Sequence, residues 1–199
     1  LHSQENINAI AGRIVQKNMN YTWEPISTVA AIDCQTGETN GNFDLDYNGN
    51  VLFATGGHMS IKRSVFQSAG LFNRRFSGNA LYEDVEFFCR MRKKGFTVRY
   101  NPRATVFHYP LEAGGCHTSK GPRYLMERLH NQTLFFLLHI SLFPPMTYIK
   151  YCRNLIEYIS RNKNKTYSIK RFLLCILTLC KAYYNAILSM LYIPKLRIK

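Results

Sequence analysis

Residues 84–94 (DVEFFCRMRKK) constrain this chain more than any other stretch. Acids gather at the front (Glu83, Asp84, Glu86) and bases at the back (Arg90, Arg92, Lys93, Lys94). Both groups match the helix dipole, which favours anions at the N-terminus and cations at the C-terminus. Gly95 supplies the stop, because glycine accepts the left-handed backbone that follows a helix. Short apolar runs lie on either side. Residues 8–15 (NAIAGRIV), 51–55 (VLFAT) and 58–62 read as strands, and 97–100 and 104–108 as two more around the Asn101-Pro102 turn. A capped helix set among short strands implies an α/β fold.

Other elements follow the same logic. Residues 63–69 suit a short helix ended by Gly70, and residues 123–140 a long one closed by Pro144-Pro145. Residues 16–50 are rich in Asn, Thr, Gly and Asp and read as loops, apart from an apolar patch at 26–32. Hydrophobic residues make up 46% of the chain and aromatics 14%, which excludes a disordered protein. The six cysteines form no C-x-x-C pair and no zinc spacing, so they read as reduced thiols of a cytosolic protein. Residues 1–9 carry no signal-peptide pattern. The chain starts without Met, as a processed protein, an excised domain or a partial gene product does.

The formal net charge of +14 is unevenly spread. Residues 1–149 hold 15 Lys/Arg against 11 Asp/Glu, whereas residues 150–199 hold 11 against one, Glu157. The chain therefore divides into a mildly basic domain, 1–140, and a basic, apolar helical tail, 141–199. The tail contains helices over 146–160 and 172–193, with a polar linker at 161–165 between them. Such a tail suits an anionic partner. Its charge is interleaved with aliphatic runs (FLLCILTLC, AILSMLYI), which argues against nucleic acid and for an anionic membrane surface. The uninterrupted apolar part of the last helix, 172–180, is short for a span of roughly twenty residues. Thr178, Lys181, Asn185 and Ser189 fall on one narrow stripe. An interfacial helix fits this pattern, and a helix packed on the domain or on a second subunit is the other reading.

Three pieces can carry chemistry. Gly56-Gly57 follows the 51–55 run and precedes His58-Met59-Ser60-Ile61-Lys62-Arg63. Two glycines there allow close backbone approach to a ligand, or simply a turn between strands. Gly78 to Asp84 is a loop feeding an acidic helix start, where Asp84 can act as a base or just satisfy helix amides. His108 ends the last strand and can be a ligand or a structural histidine.

In order, these pieces are strand, Gly-Gly, Met-Ser-Ile-x-Arg, helix, Ala-Gly-Leu-Phe, loop, Glu-Asp, helix, Lys-Gly-Phe, strand and Asn-Pro-x-Ala-x-Val-x-His. The whole resembles the C-terminal half of the catalytic domain of family 2 glycosyltransferases, inverting nucleotide-sugar enzymes with the Rossmann-like GT-A fold. The resemblance runs over residues 9–139 and is dense over 56–108. It implies that Asp84 is the base, removing the acceptor hydroxyl's proton as that oxygen attacks the anomeric carbon. It implies that Gly56, Gly57, His58 and Glu83 line donor or acceptor sugar. It also implies that His108 helps hold a divalent metal, Mg or Mn, which steadies the departing diphosphate. Partners on this reading are a nucleotide-sugar donor and a saccharide or lipid-linked acceptor in cell-surface polysaccharide synthesis. The place of work is the cytoplasmic face of a membrane.

Gly114-Gly115-Cys116 and the helix from Arg123 to Asn131 resemble the segment that follows in polysaccharide transferases, where His117 replaces a frequent Arg. Arg123 and Arg128 can neutralise phosphate or merely solvate a helix face. The family's nucleotide-binding half, with its strand-borne Asp-x-Asp, has no counterpart in these residues. Asp44-Leu45-Asp46 has the spelling but sits in a turn-rich loop, and reads as no diphosphate site. The chain is thus expected to be a C-terminal fragment, inactive alone. The alternative is a non-enzymatic basic protein, binding membrane or nucleic acid, on a decayed transferase scaffold.

Overall fold

The computed structural model describes residues 7–16, 28–109, 121–161 and 168–191. The segments holding Gly114, Gly115, Cys116 and His117, most of the 161–165 linker and the last cations of the tail lie outside them. Six strands and five α-helices occur among the described residues. They are β1 (Ala9–Gln16), β2 (Ala31–Ile32), β3 (Thr39–Asn40), β4 (Asn50–Val51), β5 (Met59–Ile61), α1 (Arg63–Ala69), α2 (Glu83–Arg92), β6 (Val98–His108), α3 (Pro122–Leu138), α4 (Pro145–Ser160) and α5 (Ile169–Leu191). The class is mixed α/β, as the sequence implies.

The main sheet has the order β4-β6-β1-β5. β1 and β6 run parallel, while β5 and β4 pair antiparallel with them on the outside. Parallel neighbours need a crossover, and here the long connection between β1 and β6 contains both α1 and α2. β2 and β3 form a separate small hairpin.

Small residues shape the centre of the sheet. Ala9 and Ala11 of β1 are fully buried, as are Val98 and Tyr100 opposite them on β6. Phe87, Phe88 and Met91 of α2 join the same buried cluster. The two strand runs expected around Asn101-Pro102 are one strand with a defect. Gly12 pairs with Asn101 but Arg13 pairs with Thr105, so Pro102, Arg103 and Ala104 bulge out. Proline has no amide to give the ladder, and a bulge accommodates that. The run at 51–55 is strand only at Val51. Phe53 and Ala54 are buried without a partner strand, because their apolar side chains suffice to anchor an irregular backbone.

The helical half is continuous with the sheet half. Ala186 of α5 and Phe143 just before α4 belong to the cluster that holds the sheet residues. The boundary drawn at residue 140 is therefore a change of composition and not a gap in packing.

Candidate active site

The turn after β4 begins the site. His58 N–H donates to Thr55 O at 3.2 Å, so Gly56 and Gly57 form the centre of a tight turn. Neither glycine takes positive φ. A Cβ on Gly57 would lie 3.3 Å from Ile14 Cδ1, whereas one on Gly56 would meet nothing. The useful group at Gly56 is its amide, which with the Thr55 hydroxyl faces the Asp84 carboxylate and favours its charged form.

Asp84 lies in the first turn of α2. The N-cap is Tyr82, in the left-handed region at φ 70° and with no side-chain cap bond. Non-glycine residues occupy that region uncommonly. Tyr82 is held there by neighbours: its ring stacks 5.1 Å from Phe135 and its hydroxyl donates to Gly37 O at 3.3 Å. Burial pushes its phenol up to about 12. The backbone can then turn sharply into α2 and aim Asp84 back at the Thr55–Gly56 turn. Asp84 Oδ1 accepts the Val85 amide at 2.8 Å. Burial raises the Asp84 pKa above the ordinary 3.8, although bonds from the Val85 and Gly56 amides pull the other way. Glu83 is also raised, by burial first and by the Asp84 charge second. A carboxylate kept proton-hungry is suited to accept a proton.

A cleft of about 690 Å³ opens in front of this group, lined among others by Asp44, Gly57, Tyr82, Asp84, Phe107 and His108. It is large enough for a monosaccharide or a small nucleotide. Its polar groups converge from four segments. β6 delivers His108 at its last residue, exposed on the rim.

Asp44 is the residue the sequence reading set aside. Tyr100 Oη donates to Phe43 O at 2.6 Å and Leu45 O at 3.0 Å, and Arg13 Nε to Asp44 O at 2.8 Å. These bonds clamp the loop to the sheet. Phe43, Leu45 and Tyr47 pack against the core. Their alternation with Asp44 and Asp46 was the available signal, since period-two burial turns the intervening residues outward. Asp44 reaches the cleft, and Asp46 is not among its lining residues.

The remaining expected site residues stand elsewhere. The His58 ring lies across β1 above Gly12, where a Cβ would fall 1.9 Å from the ring. Its Nε2–H donates to Ala104 O in the β6 bulge at 3.1 Å. His58 thus closes the sheet defect and does not line the cleft. Gly56 and Glu83 adjoin the cleft through Asp84 but are not among its lining residues. Arg123 is outside it, 81% exposed at its side chain and paired with Glu127 at 3.2 Å. An exposed pair of this kind contributes little. Glu127 in turn reaches the loop before α2, accepting Asn79 N–H at 3.4 Å.

The fit of a metal is partial. Among the described residues no three His, Cys, Asp or Glu side chains stand close enough to hold one. His108 and Asp44 face a common cleft but do not make a metal centre by themselves, and no step below passes through a metal.

No family model matches the chain, and no curated protein matches it. What the fold and the cleft define is a mixed α/β protein with two carboxylates and a histidine on one concave face. Among its described helices one, α5, is long and apolar enough to cross a membrane, with a mean hydropathy of 1.5.

Proposed function

We propose that the chain forms the acceptor side of an inverting glycosyltransferase of the family 2, GT-A type, with Asp84 as the general base. The observation that supports this most is the meeting of Gly57, Asp84 and His108 on one cleft, from three segments far apart in sequence. Asp84 takes the proton of the acceptor hydroxyl as it attacks the anomeric carbon. The carbon–oxygen bond to the departing nucleoside diphosphate breaks as the new glycosidic bond forms. One in-line displacement inverts the anomeric centre. The Thr55 hydroxyl and Gly56 amide fix the carboxylate's orientation, and its raised pKa strengthens it as a base. The acceptor is a saccharide or lipid-linked sugar at the cytoplasmic face of a membrane. Any divalent metal, Mg or Mn, draws ligands beyond His108. Donor binding by these residues alone is expected to be weak.

In a longer version that also carries a nucleotide-binding half, turnover is measured as nucleoside diphosphate release from UDP-, GDP- and dTDP-sugars with Mn²⁺. Asp84→Asn is expected to slow it by about 10²- to 10⁴-fold. Stability should move the other way. A carboxylate whose folded pKa is raised binds its proton more tightly when folded, so its charge costs stability above the unfolded value. Asp84→Asn should therefore melt at or above the wild-type temperature at pH 7, with the gap closing below the ordinary value of 3.8. Normal turnover in the variant removes Asp84 from the role.

A second reading is a binding protein that retains the scaffold without catalysis. The apolar outer face of α5 favours membrane over nucleic acid as its target. Absence of turnover with every donor in that longer version, together with vesicle binding, supports this reading. Retention by DNA alone points to nucleic acid.

A further inference from the structure

α5 is amphipathic in the wrong sense for a helix packed against a water-soluble domain. Its inward face is mostly small or polar: Cys175, Ala182, Ala186 and Ser189 are buried, with Thr178 and Asn185 beside them, and Leu179 packs against the cluster of Leu129 and Ile159. Its outward stripe is Leu173, Leu177, Cys180, Tyr184, Ile187 and Leu191, all exposed. These six recur at i, i+4 and i+7, the spacing of a single helix face. Leu177 is 66% exposed and Leu191 77%. The sequence pattern leaves open whether the stripe of Thr178, Asn185 and Ser189 meets water or the domain. The structure turns it onto α3, and only Lys181 of that stripe is left outside.

The rotation is fixed by side-chain bonds. Asn185 Nδ2 donates to His130 Nε2 at 2.8 Å, and Asn73 Nδ2 to Ser189 Oγ at 3.0 Å. Thr178 Oγ1 lies 3.6 Å from Met126 Sδ. Because Asn185 donates to Nε2, the His130 proton sits on Nδ1, which faces Asn131 Oδ1 at 2.8 Å. Burial lowers the His130 pKa and keeps the ring neutral. Turning the apolar stripe inward would leave the His130 ring and the Asn73 amide without these partners, which opposes the rotation. The same contacts lay α5 lengthwise along α3, so its axis follows the wall of the domain.

Neighbouring groups extend this wall. Tyr148 of α4 donates to the Tyr183 hydroxyl at 3.1 Å, and Met146 and Ile149 beside it are exposed. Cations stud the same two helices: Lys150, Arg153, Lys170 and Lys181 are all exposed. Glu157 is the only acid from residue 150 onward, and Arg161 is bonded to it. A second copy of the chain would bring cations against cations. An anionic bilayer offers acyl chains to the stripe and phosphate to the cations. Apolar faces of this extent are rare on monomers in water.

We propose that this wall is a membrane-binding face, with α5 lying in the plane of an anionic bilayer and not crossing it. The stripe from Leu173 to Leu191 sits among the upper acyl chains, and Lys170 and Lys181 reach headgroup phosphate. This inference stands on the helices alone and survives loss of the transferase reading.

The full chain is floated with phosphatidylcholine vesicles, with and without phosphatidylglycerol. It should rise with the anionic vesicles. Leu177→Glu and Leu173→Glu should each weaken binding roughly tenfold or more, with melting temperatures unchanged because both positions are exposed. Depth is read with Leu177→Trp in a Trp23→Phe background and lipids brominated near to or far from the headgroup. Stronger quenching by shallow bromines is expected. Equal flotation with neutral and anionic vesicles would overturn the proposal. Dominant quenching by deep bromines with resistance to alkaline carbonate would mean that α5 crosses. A vesicle-independent dimer abolished by Leu177→Glu would assign the face to a second copy.

Discussion

α2 and α5 are the two helices that matter most, and they are built on opposite rules. α2 buries Val85, Phe87, Phe88 and Met91 against the sheet and turns charge outward or into the cleft. α5 buries alanine, cysteine and hydrogen-bonding groups and turns leucine and isoleucine outward. Around α2 the partner of the apolar face is the chain itself, so hydrophobic burial sets its orientation. Around α5 the chain supplies a narrow seam in which hydrogen-bonding groups alternate with small apolar contacts at Cys175, Leu179 and Ala186. Polar bonds set its orientation, as they do between helices whose surroundings are apolar.

α2 has one exception to its rule, and it gives the largest expected effect. Glu86 is 1% exposed and is held by Arg90 at 2.9 Å, with the His139 ring 3.7 Å away. Burial alone would raise its pKa, but His139 and Arg90 outweigh that and lower it. Arg90 also donates to Ala69 O and to Leu71 O, tying α2 to the end of α1. Arg90→Met would leave an uncompensated buried carboxylate and two orphaned carbonyls. The expected loss is about 3–5 kcal/mol in urea denaturation at pH 7. A depressed carboxylate pKa contributes stability that is present above the unfolded value of 4.5 and fades as pH falls through the folded one. The difference between variant and wild type should therefore narrow below pH 4.5. An undiminished difference in acid would show that Arg90 acts through the carbonyls and not through Glu86.

The next effect tests the sheet end of the comparison. Gly12→Ala places a methyl inside the His58 ring. The ring is held at both ends, by its backbone carbonyl on the Gly12 amide at 3.0 Å and by its Nε2 on Ala104, so it cannot swing away freely. Overpacking of this kind costs about 1–3 kcal/mol. Adding His58→Ala should recover part of that loss, and the coupling is measured by the double-mutant cycle. Additive losses would mean that the ring is not what Gly12 accommodates.

Both helices could be read from the sequence as helices, but what α5 turns inward could not. The α2 dipole pattern and the Gly95 stop are local signals, and the helix forms at Glu83–Arg92. Local signals place Asp84 at the helix start, where it reads equally as a cap; the order of motifs around it, not its spacing, marks it as a candidate base. The bond from Gly56 could not be seen, since it spans the fold. The same holds for His58: adjacent to Gly56-Gly57 in sequence, it points across β1 to a bulge in β6. A histidine three residues past a strand end gives no hint of which face it will take. For Asp44, the alternation Phe43, Leu45, Tyr47 was legible, but a loop rich in Asn and Gly hid it. In α5 the stripe was found correctly as a stripe. Its direction stayed open, because amphipathicity fixes which residues share a face and not which medium that face meets.

The smallest expected effect is the one that separates the helices most sharply. Leu177→Gln changes an apolar side chain already exposed to solvent, so folded and unfolded chains expose it alike. Stability in detergent-free buffer should stay within about 0.5 kcal/mol of wild type. Met91→Gln, the corresponding exchange in α2, buries an amide where Met91 is fully enclosed and should cost several times more, because no partner waits there for it. The contrast should shrink when anionic vesicles are present. Leu177 then gains a folded-state environment that glutamine cannot use, and the variant loses the extra stability that lipid binding gives the wild type. A Leu177→Gln variant as destabilised in plain buffer as Met91→Gln would mean that α5 turns its apolar stripe inward in solution. The two helices would then obey one rule after all.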